Sequence, residues 1–293
     1  MASQPGHRER VLLLLPALLL AGLVVGLPVL RVLQLSFSRV ELDGGISTSW
    51  AGLDPYVRLW QDGRFWTALR NTAVFTGASV LLETALGVGV ALVLHQRFRG
   101  RGMLRAVVLL PWALPTAVMA LAWAWIFNDA FGVANDLLGR LGFIERPVAW
   151  LGEPGTAMAA IVLADVWKTT PFVALVVLAG LQGIPESLLE AARVDGLGAW
   201  QRFWYVVLPL LAPALVVAVV FRAVQAYGAF DLVYVMTGGG PGGSTETVSL
   251  YAYQHYFRYL DFGYGSAVAT AGVVLALLPL LVVLRWARAR EVR

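Results

Sequence analysis

Five ionisable side chains lie inside long apolar stretches of the sequence, where charge is unusual: Glu83, Asp165, Lys168, Arg222 and Asp231. A charge at the centre of a bilayer is costly unless it is paired or hydrated, so these residues should bind one another or face a water-filled path. Asp165 and Lys168, three positions apart on one predicted helix, can pair locally, and Lys168 can instead face a solute. Glu83 is expected to pair with Arg222 or with Lys168.

Polar side chains next to a proline predict a site for a polar solute. Lys168 and Thr169 come just before Pro171, where a helix break is expected to leave carbonyl and hydroxyl groups free to face a solute. Sugars need hydrogen-bonding groups and an aromatic face. A second stretch supplies such groups: Gln225, Tyr227 and Asp231. For Arg222, solute binding and pairing with Glu83 both stay open, and the structural pair is favoured.

Several kinds of reactive site are not expected in this chain. The sequence contains no cysteine, which excludes disulfides and thiolate chemistry. Its one lysine, Lys168, lies in an apolar stretch, and the sequence has no G-x-x-x-x-G-K-[ST] loop for binding phosphate. The three histidines, His7, His95 and His255, are too scattered to suggest a metal site. The chain is therefore expected to hold no cofactor or metal and to be no enzyme.

The elements that must position these residues are membrane helices. Of the 293 residues, 59% are hydrophobic and 14% are charged, and the mean hydropathy is +0.72, far from the composition of a soluble domain. About 20 apolar residues cross a bilayer as a helix. Six segments are predicted to do so: 11–35, 72–94, 103–127, 157–181, 210–236 and 265–286. The expected fold is an all-α membrane protein, with residues 1–293 forming a single transmembrane domain.

Prolines lie within or beside these apolar segments. Membrane helices tolerate proline when neighbouring groups satisfy the freed backbone atoms. Bends or helix ends are therefore expected at these positions: Pro16, Pro28, Pro111, Pro115, Pro171, Pro209, Pro213 and Pro279.

Arginines are distributed unevenly among the loops, and this distribution predicts the orientation. They lie before the first segment, between the second and third, and after the sixth: Arg8, Arg10, Arg97, Arg99, Arg101, Arg105, Arg285, Arg288, Arg290 and Arg293. By the positive-inside rule this side is cytoplasmic, so both termini are expected in the cytoplasm. The net charge of +4 reflects this topology, and no nucleic-acid partner is expected. The first segment, with no small-residue cleavage site after it, is expected to remain as an anchor.

A charged segment between the fourth and fifth predicted spans carries the most specific motif. Residues 190–196 read E-A-A-R-V-D-G, and the pattern continues to Leu208 and Pro209. This segment resembles the EAA loop of ABC importer permeases, which implies the type I importer permease fold and a cytoplasmic coupling loop over residues 183–208. The resemblance implies that this loop docks on an ATPase subunit. The residues assigned to coupling are Glu190, Ala191, Ala192, Asp195 and Gly196.

Other stretches resemble the carbohydrate-uptake permeases, in particular the first permease subunit of maltose, trehalose and glycerol-3-phosphate importers. These stretches are residues 52–56, 230–234 and 237–241, and residues 165–172 are most similar to the trehalose and maltose members. An ungapped count from the EAA loop carries the sugar-lining positions of the maltose permease onto this chain, where most residue types differ. The positions obtained are Lys168, Thr169, Phe172, Arg222, Ala226 and Ala229.

The resemblance implies a permease subunit of an ATP-driven, binding-protein-dependent importer for a di- or oligosaccharide such as trehalose or maltose. The implied partners are a second homologous permease, a dimer of ATPase subunits that hold ATP and Mg²⁺, an external substrate-binding protein, the sugar and membrane lipid. Two alternatives stay open. One is the same machinery transporting glycerol-3-phosphate or a glycoside osmolyte, and the other is a proton-coupled secondary carrier with Glu83 and Asp165 as its relay.

Overall fold

The computed structural model describes residues 7–41 and 47–291, and it describes side chains for residues 14–41, 47–278 and 281. The backbone is mostly helical, as the long apolar segments predict. It divides into two compact units. One is formed by the residues up to Gly63 together with Tyr251–Val273, and the other by Arg64–Leu250 together with the residues from Val274 onward.

The first half of the chain contains seven labelled helices and one small sheet. Helices α1 (His7–Ala21) and α2 (Leu27–Leu35) flank a π-helical turn (Gly22–Gly26). Strands β1 (Ser38–Glu41) and β2 (Ser47–Trp50) pair antiparallel, with Ser38 opposite Trp50. The following helices are α3 (Asp54–Gln61), α4 (Gly63–His95), α5 (Arg101–Ala113), α6 (Thr116–Ile126) and α7 (Val133–Arg140).

The second half is helical wherever it has regular structure. Its first helices are α8 (Pro154–Gln182), α9 (Glu186–Val194) and α10 (Ala199–Arg202), and a π-helical turn (Phe203–Val207) leads into α11 (Leu208–Tyr227). After α11 come α12 (Asp231–Met236), α13 (Val248–Tyr253), another π-helical turn (Gln254–Arg258) and α14 (Phe262–Glu291).

The helices agree with the predicted membrane-spanning segments in position. Within the described residues, four stretches are long and apolar enough to cross a membrane: Leu14–Leu35, Gly63–His95, Pro154–Gln182 and Ala199–Tyr227. Helices α5 and α6 together can make a fifth crossing. The sixth predicted segment, 265–286, lies in α14, whose 30 residues include the apolar stretch Phe262–Leu278. The all-α membrane fold is thus confirmed, apart from the short β1–β2 ladder.

Two of the predicted spans, 103–127 and 210–236, are each divided between two helices. Helices α5 and α6 meet at a bend of 93°. Pro115 disfavours helical backbone at the preceding residue, and Leu114 is accordingly extended, with φ −73° and ψ 140°. The bend agrees with the expectation from the prolines. Helix α11 ends at Tyr227, and the chain resumes as α12 at Asp231.

The predicted helix break at Pro171 is wrong, because α8 runs from Pro154 to Gln182 without interruption. A proline inside a helix removes one backbone hydrogen bond. Just before Pro171, the hydroxyls of Thr169 and Thr170 donate to the carbonyls of Asp165 and Val166, four residues earlier, each at 2.6 Å. These hydroxyls therefore bond the turn of their own helix.

Helices α4, α8 and α11 approach one another closely in the second unit. A β-carbon at Gly87 of α4 would lie 2.6 Å from Cγ1 of Val173, and one at Gly180 of α8 would lie 2.7 Å from Cβ of Ala214. Small residues allow membrane helices such close contact. The apolar core at this contact contains Ala91, Leu94, Val173, Val177, Leu178, Leu181, Leu211 and Ala218. This packing sets the relative rotation of the three helices that carry the buried charges.

Polar bonds organise the first unit. Asp62, which follows α3, accepts hydrogen bonds from the hydroxyls of Tyr251 and Tyr264, the latter at 2.5 Å. Arg58 of α3 donates to Asp261 over 2.7 Å. These contacts join α3 to α13 and to the start of α14.

Candidate functional site

A buried ion cluster joins α4, α8 and α11. Arg222 of α11 donates from Nε and Nη2 to the two carboxylate oxygens of Glu83, at 2.5 and 2.8 Å. Its Nη2 also donates to Oδ2 of Asp165 at 3.0 Å. The three residues are 3%, 0% and 8% exposed, for Arg222, Glu83 and Asp165 respectively. The guanidinium thus matches a carboxylate with two parallel bonds, the geometry in which arginine pairs most strongly.

This cluster shows the ion-pair partners of Glu83 and Asp165. Glu83 pairs with Arg222, as favoured. The predicted local pair between Asp165 and Lys168 is wrong, because the carboxylate of Asp165 binds Arg222 instead. Spacing along one helix permits a local pair, but a buried carboxylate is better satisfied by a guanidinium that neighbouring helices hold in place.

Two neutral side chains complete the cluster. The hydroxyl of Thr169 lies 2.6 Å from Oε1 of Glu83 and 2.6 Å from the carbonyl oxygen of Asp165, so its single hydrogen is shared between these two acceptors. Gln225 accepts a hydrogen bond from Nη1 of Arg222 at 2.9 Å. Because the Thr169 hydroxyl is already bonded to Glu83, its role in the site is to hold that carboxylate in place.

Lys168 bonds the backbone at the bend between α5 and α6. Its Nζ donates to the carbonyl of Leu114 at 2.6 Å. Leu114 lies between the two helices, so its carbonyl is at a helix end where side chains commonly supply the missing partner. The lysine therefore links α8 to the bend, and its two other ammonium hydrogens remain available to further acceptors.

A cavity of about 330 Å³ opens beside this cluster. It lies where the α5–α6 bend, α8 and the gap between α11 and α12 come together. Its lining contains Trp112, Thr116, Asp165, Lys168, Thr169, Arg222, Gln225, Gly228, Ala229, Phe230, Asp231 and Leu232. The volume falls in the range of small-molecule sites. Its wall combines aromatic rings with hydrogen-bond donors and acceptors.

Six of the nine predicted substrate-binding residues line this cavity: Lys168, Thr169, Arg222, Gln225, Ala229 and Asp231. Three others lie outside its lining: Phe172, Ala226 and Tyr227. Ala226 is buried within α11 at 2% exposure. Phe172 stacks on Phe221 with ring centroids 4.8 Å apart and lies 6.2 Å from the ring of Trp112, so it supports a ring of the wall.

Sequence reasoning missed Trp112, Thr116 and Phe230. The first two flank the bend at Leu114 and Pro115, and Phe230 lies in the gap between α11 and α12. The prolines at 111 and 115 were the available signal, because broken membrane helices often line solute sites. The helix break that faces the solute was instead predicted at Pro171.

The coupling segment forms two short helices with a tight turn between them. After α9, Gly196 has a φ of +81°, the left-handed conformation that glycine adopts without strain. The amide of Gly196 donates to the carbonyl of Arg193, and that of Leu197 to the carbonyl of Ala192, both at 3.0 Å. This pair of bonds is a Schellman motif, which ends a helix. A tight turn is therefore formed at Gly196, one of the residues assigned to coupling.

The other coupling residues lie in α9 or directly after it, and they differ in exposure. Ala192 is buried, whereas Glu190, Ala191 and Asp195 are exposed. Large apolar side chains next to them are exposed too, with Val194 at 87% and Trp200 at 72%. An exposed apolar patch with charged neighbours is typical of a surface that binds another protein.

Among the described residues, no group of three or more histidine, aspartate or glutamate side chains is placed so that it could hold a metal ion. The acidic residues of the cluster are matched by Arg222.

Comparison with known proteins identifies the family. Residues 83–291 match the family described as the binding-protein-dependent transport system inner membrane component. The trehalose/maltose transport system permease protein of Thermococcus litoralis is 44% identical over 280 residues, which cover 96% of this chain and 94% of that protein. The sulfoquinovosyl glycerol transport system permease protein of Agrobacterium fabrum is 42% identical over 281 residues, covering 96% of this chain and 91% of that protein. The trehalose transport system permease protein of Mycobacterium tuberculosis is 38% identical over 263 residues, covering 90% of this chain and 83% of that protein.

A solved structure shares the fold. It is a bacterial ABC transporter involved in the import of the acidic polysaccharide alginate, and the match has a TM-score of 0.82 at 24% identity, covering 96% of each chain. The fold is therefore that of a type I ABC importer permease. From the family match and the near full-length relatives, this chain belongs to the binding-protein-dependent inner membrane components, the permease subunits of ABC importers.

Proposed function

We propose that this chain is the permease subunit of an importer for a di- or oligosaccharide such as trehalose or maltose. The observation that carries the proposal is the cavity, whose wall offers donors on Lys168, acceptors on Asp231 and the amide of Gln225 beside the rings of Trp112 and Phe230. Hydroxyl groups of a sugar both donate and accept, and its apolar face packs on aromatic rings. Relatives named for trehalose and maltose transport support this solute class.

The proposed substrate-binding set is adjusted from the sequence prediction. Lys168, Gln225, Ala229 and Asp231 contact the sugar, and Thr169 and Arg222 hold the cluster behind the wall. Phe172, Ala226 and Tyr227 act through packing. In this proposal a second, homologous permease completes the site.

Transport in this proposal is driven by another polypeptide. The segment 183–208 docks on an ATPase subunit through Glu190, the turn at Gly196 and the exposed apolar side chains beside it. Closure of an ATPase dimer that holds ATP and Mg²⁺ moves the coupling segments and turns the cavity from one side of the membrane to the other. An external binding protein delivers the sugar. One related fold has been solved together with such a protein, in complex with an alginate pentasaccharide-bound periplasmic protein.

The proposed location is the bacterial inner membrane, with both termini and the coupling segment in the cytoplasm. Arginine clusters on this side support the orientation. Arg97, between α4 and α5, lies 3.9 Å from Glu186 at the start of α9, so the two loops assigned to this side are adjacent.

The two alternative functions differ in how well they are supported. A proton-coupled carrier is not supported, because Glu83 and Asp165 are bound to one guanidinium and the chain belongs to a permease family of ABC importers. Anionic solutes stay as a second candidate class, since the relative in Agrobacterium fabrum is named for a sulfonated glycoside.

The proposal is tested with the complete transporter reconstituted in nanodiscs with its binding protein. Asp231→Ala removes an acceptor for sugar hydroxyls, and a hydrogen bond to a charged group contributes about 1.5–3 kcal/mol. We expect the trehalose- or maltose-stimulated part of the ATPase rate to fall about tenfold. Asp136→Ala is the matched control, because that exposed carboxylate pairs with Arg140 on α7, outside the cavity. Equal sugar stimulation in both variants would contradict the proposed site.

A further inference from the structure

A glycine-rich loop, residues 237–247, joins α12 to α13 and begins with the stretch T-G-G-G-P. Its last three residues, Thr245, Glu246 and Thr247, are at most 2% exposed. Connecting segments normally lie at the surface, and buried polar side chains need hydrogen-bond partners. The bonds of these three residues therefore show what the loop is attached to.

The start of α4 holds one side of the loop. Arg64 donates from Nε and Nη2 to the two carboxylate oxygens of Glu246, each at 2.8 Å. The amide of Asn71 donates to the backbone carbonyls of Gly243 and Glu246, at 2.8 and 3.1 Å. The paired bonds of Arg64 are of the strong, geometrically specific kind. The loop is thus fixed to a long membrane helix.

The same loop holds both ends of α12. The hydroxyl of Thr247 donates to the carbonyl of Ala229, in the gap between α11 and α12, at 3.2 Å. After the other end of α12, the hydroxyls of Thr237 and Thr245 are hydrogen-bonded at 2.8 Å. A helix of six residues is too short to be stable without tertiary contacts. The position of α12 therefore depends on the loop.

This arrangement connects α4 to the cavity wall. Ala229 in the gap and Asp231, the first residue of α12, both line the cavity. Among the described residues that line it, none belongs to the glycine-rich loop or to α4. Thr247 lies two bonds of the chain of contacts away from the solute, since it reaches the wall through the backbone of Ala229.

We propose that Thr247 is a positioning residue for the sugar site, and that the glycine-rich loop places Asp231 by bracing α12 against α4. This inference rests on the proposed sugar site and adds residues that act on it from outside its wall. Thr247 holds the gap before Asp231, and Arg64 holds the loop through Glu246.

The test measures the affinity for trehalose by saturation-transfer NMR on the complete transporter in nanodiscs, without binding protein. Thr247→Val keeps the branched shape but removes the hydroxyl, and we expect about threefold to tenfold weaker binding, the range for loss of one hydrogen bond. Thr247→Ser keeps the hydroxyl and should restore most of the affinity. Thr156→Val is the matched control, because that hydroxyl donates to the carbonyl of Glu153 at the start of α8, outside the cavity lining.

The outcomes separate the inference from the site on which it rests. Unchanged affinity in Thr247→Val, or an equal loss in Thr247→Ser and Thr156→Val, would overturn the positioning role and leave the sugar site in place. Absence of trehalose binding in the unmodified transporter would overturn the proposed site, and the inference with it.

Arg64→Lys tests the brace at its other end, and it decides the question if Thr247→Val does not fold. The Arg64 side chain is half exposed, and lysine keeps the positive charge beside Glu246 but lacks the two parallel N–H groups. The variant should therefore fold, with trehalose affinity lowered about threefold, the effect of one weakened bond. Combined with Asp231→Ala, the change should have a smaller effect than alone, because residues that act through one group are not additive. Unchanged affinity in Arg64→Lys, or fully additive losses, would contradict action through Asp231.

Discussion

Replacing Arg222 by alanine should destabilise the protein by about 3–5 kcal/mol, since removal of one partner leaves buried charge uncompensated. Glu83 and Asp165 would both lose the guanidinium that binds them at 2.5–3.0 Å. The expected result is a large loss of monodisperse protein after detergent extraction and a lower midpoint of thermal unfolding. Removing Glu83 as well, in Arg222→Ala with Glu83→Ala, should recover part of the yield.

Arg140→Ala provides the matched control for this experiment. Arg140 also pairs with an aspartate, Asp136, at 2.9 Å, but both side chains are more than half exposed. Exposed ion pairs contribute little, about 0–1 kcal/mol, so the control should keep its yield. If Arg222→Ala accumulates normally and loses only sugar transport, Arg222 is a solute ligand and not the structural partner of Glu83.

Substitution of Gly196 by valine should abolish transport while the protein still inserts in the membrane. Its φ of +81° is strained for any residue with a β-carbon, and most for a β-branched one. The turn between α9 and α10 would distort, and the exposed surface around Glu190 would lose its shape. Transport and ATP hydrolysis stimulated by sugar are the measurements, with the amount of inserted protein as reference.

Gly196→Asn tests whether transport is lost because of the strained backbone turn or because of the added side chain. Asparagine tolerates the left-handed conformation better than other residues with a β-carbon, and open space surrounds this position. We therefore expect this variant to keep much of the transport activity. Equal loss in both variants would show that coupling fails for a reason other than the backbone turn, and normal transport by Gly196→Val would contradict the coupling role of the segment.

The sequence predicted that Glu83 has a cationic partner, because a carboxylate inside an apolar segment has few ways to be satisfied. The choice between Arg222 and Lys168 did not follow from the sequence. The partner of Asp165 could not be predicted from the sequence. A lysine three residues away is a plausible local partner, and only the packing of α8 against α11 places a guanidinium closer. Lys168 is bound to a carbonyl 54 residues away in sequence, which no local pattern indicates.

The sequence also predicted only part of the pattern of breaks in the membrane helices. Prolines indicated positions where helices can bend, but could not say which would bend. Pro115 interrupts its span, whereas Pro171 lies inside one continuous helix. The predicted α8 residues Lys168 and Thr169 do line the cavity, and Gln225 and Asp231 were found from their chemistry. Trp112 was missed because the bend at Pro115 was not assigned to the site.

The central claim is that a sugar binds in the cavity between the α5–α6 bend, α8 and the gap after α11. Electron cryomicroscopy of the complete transporter, held in nanodiscs with trehalose or maltose, tests it directly. The account predicts sugar density within hydrogen-bonding distance of Lys168, Gln225 or Asp231, with a ring face on Trp112 or Phe230, and with Arg222 still bound to Glu83. Sugar density at another place in the membrane region, away from all five wall residues, would contradict it.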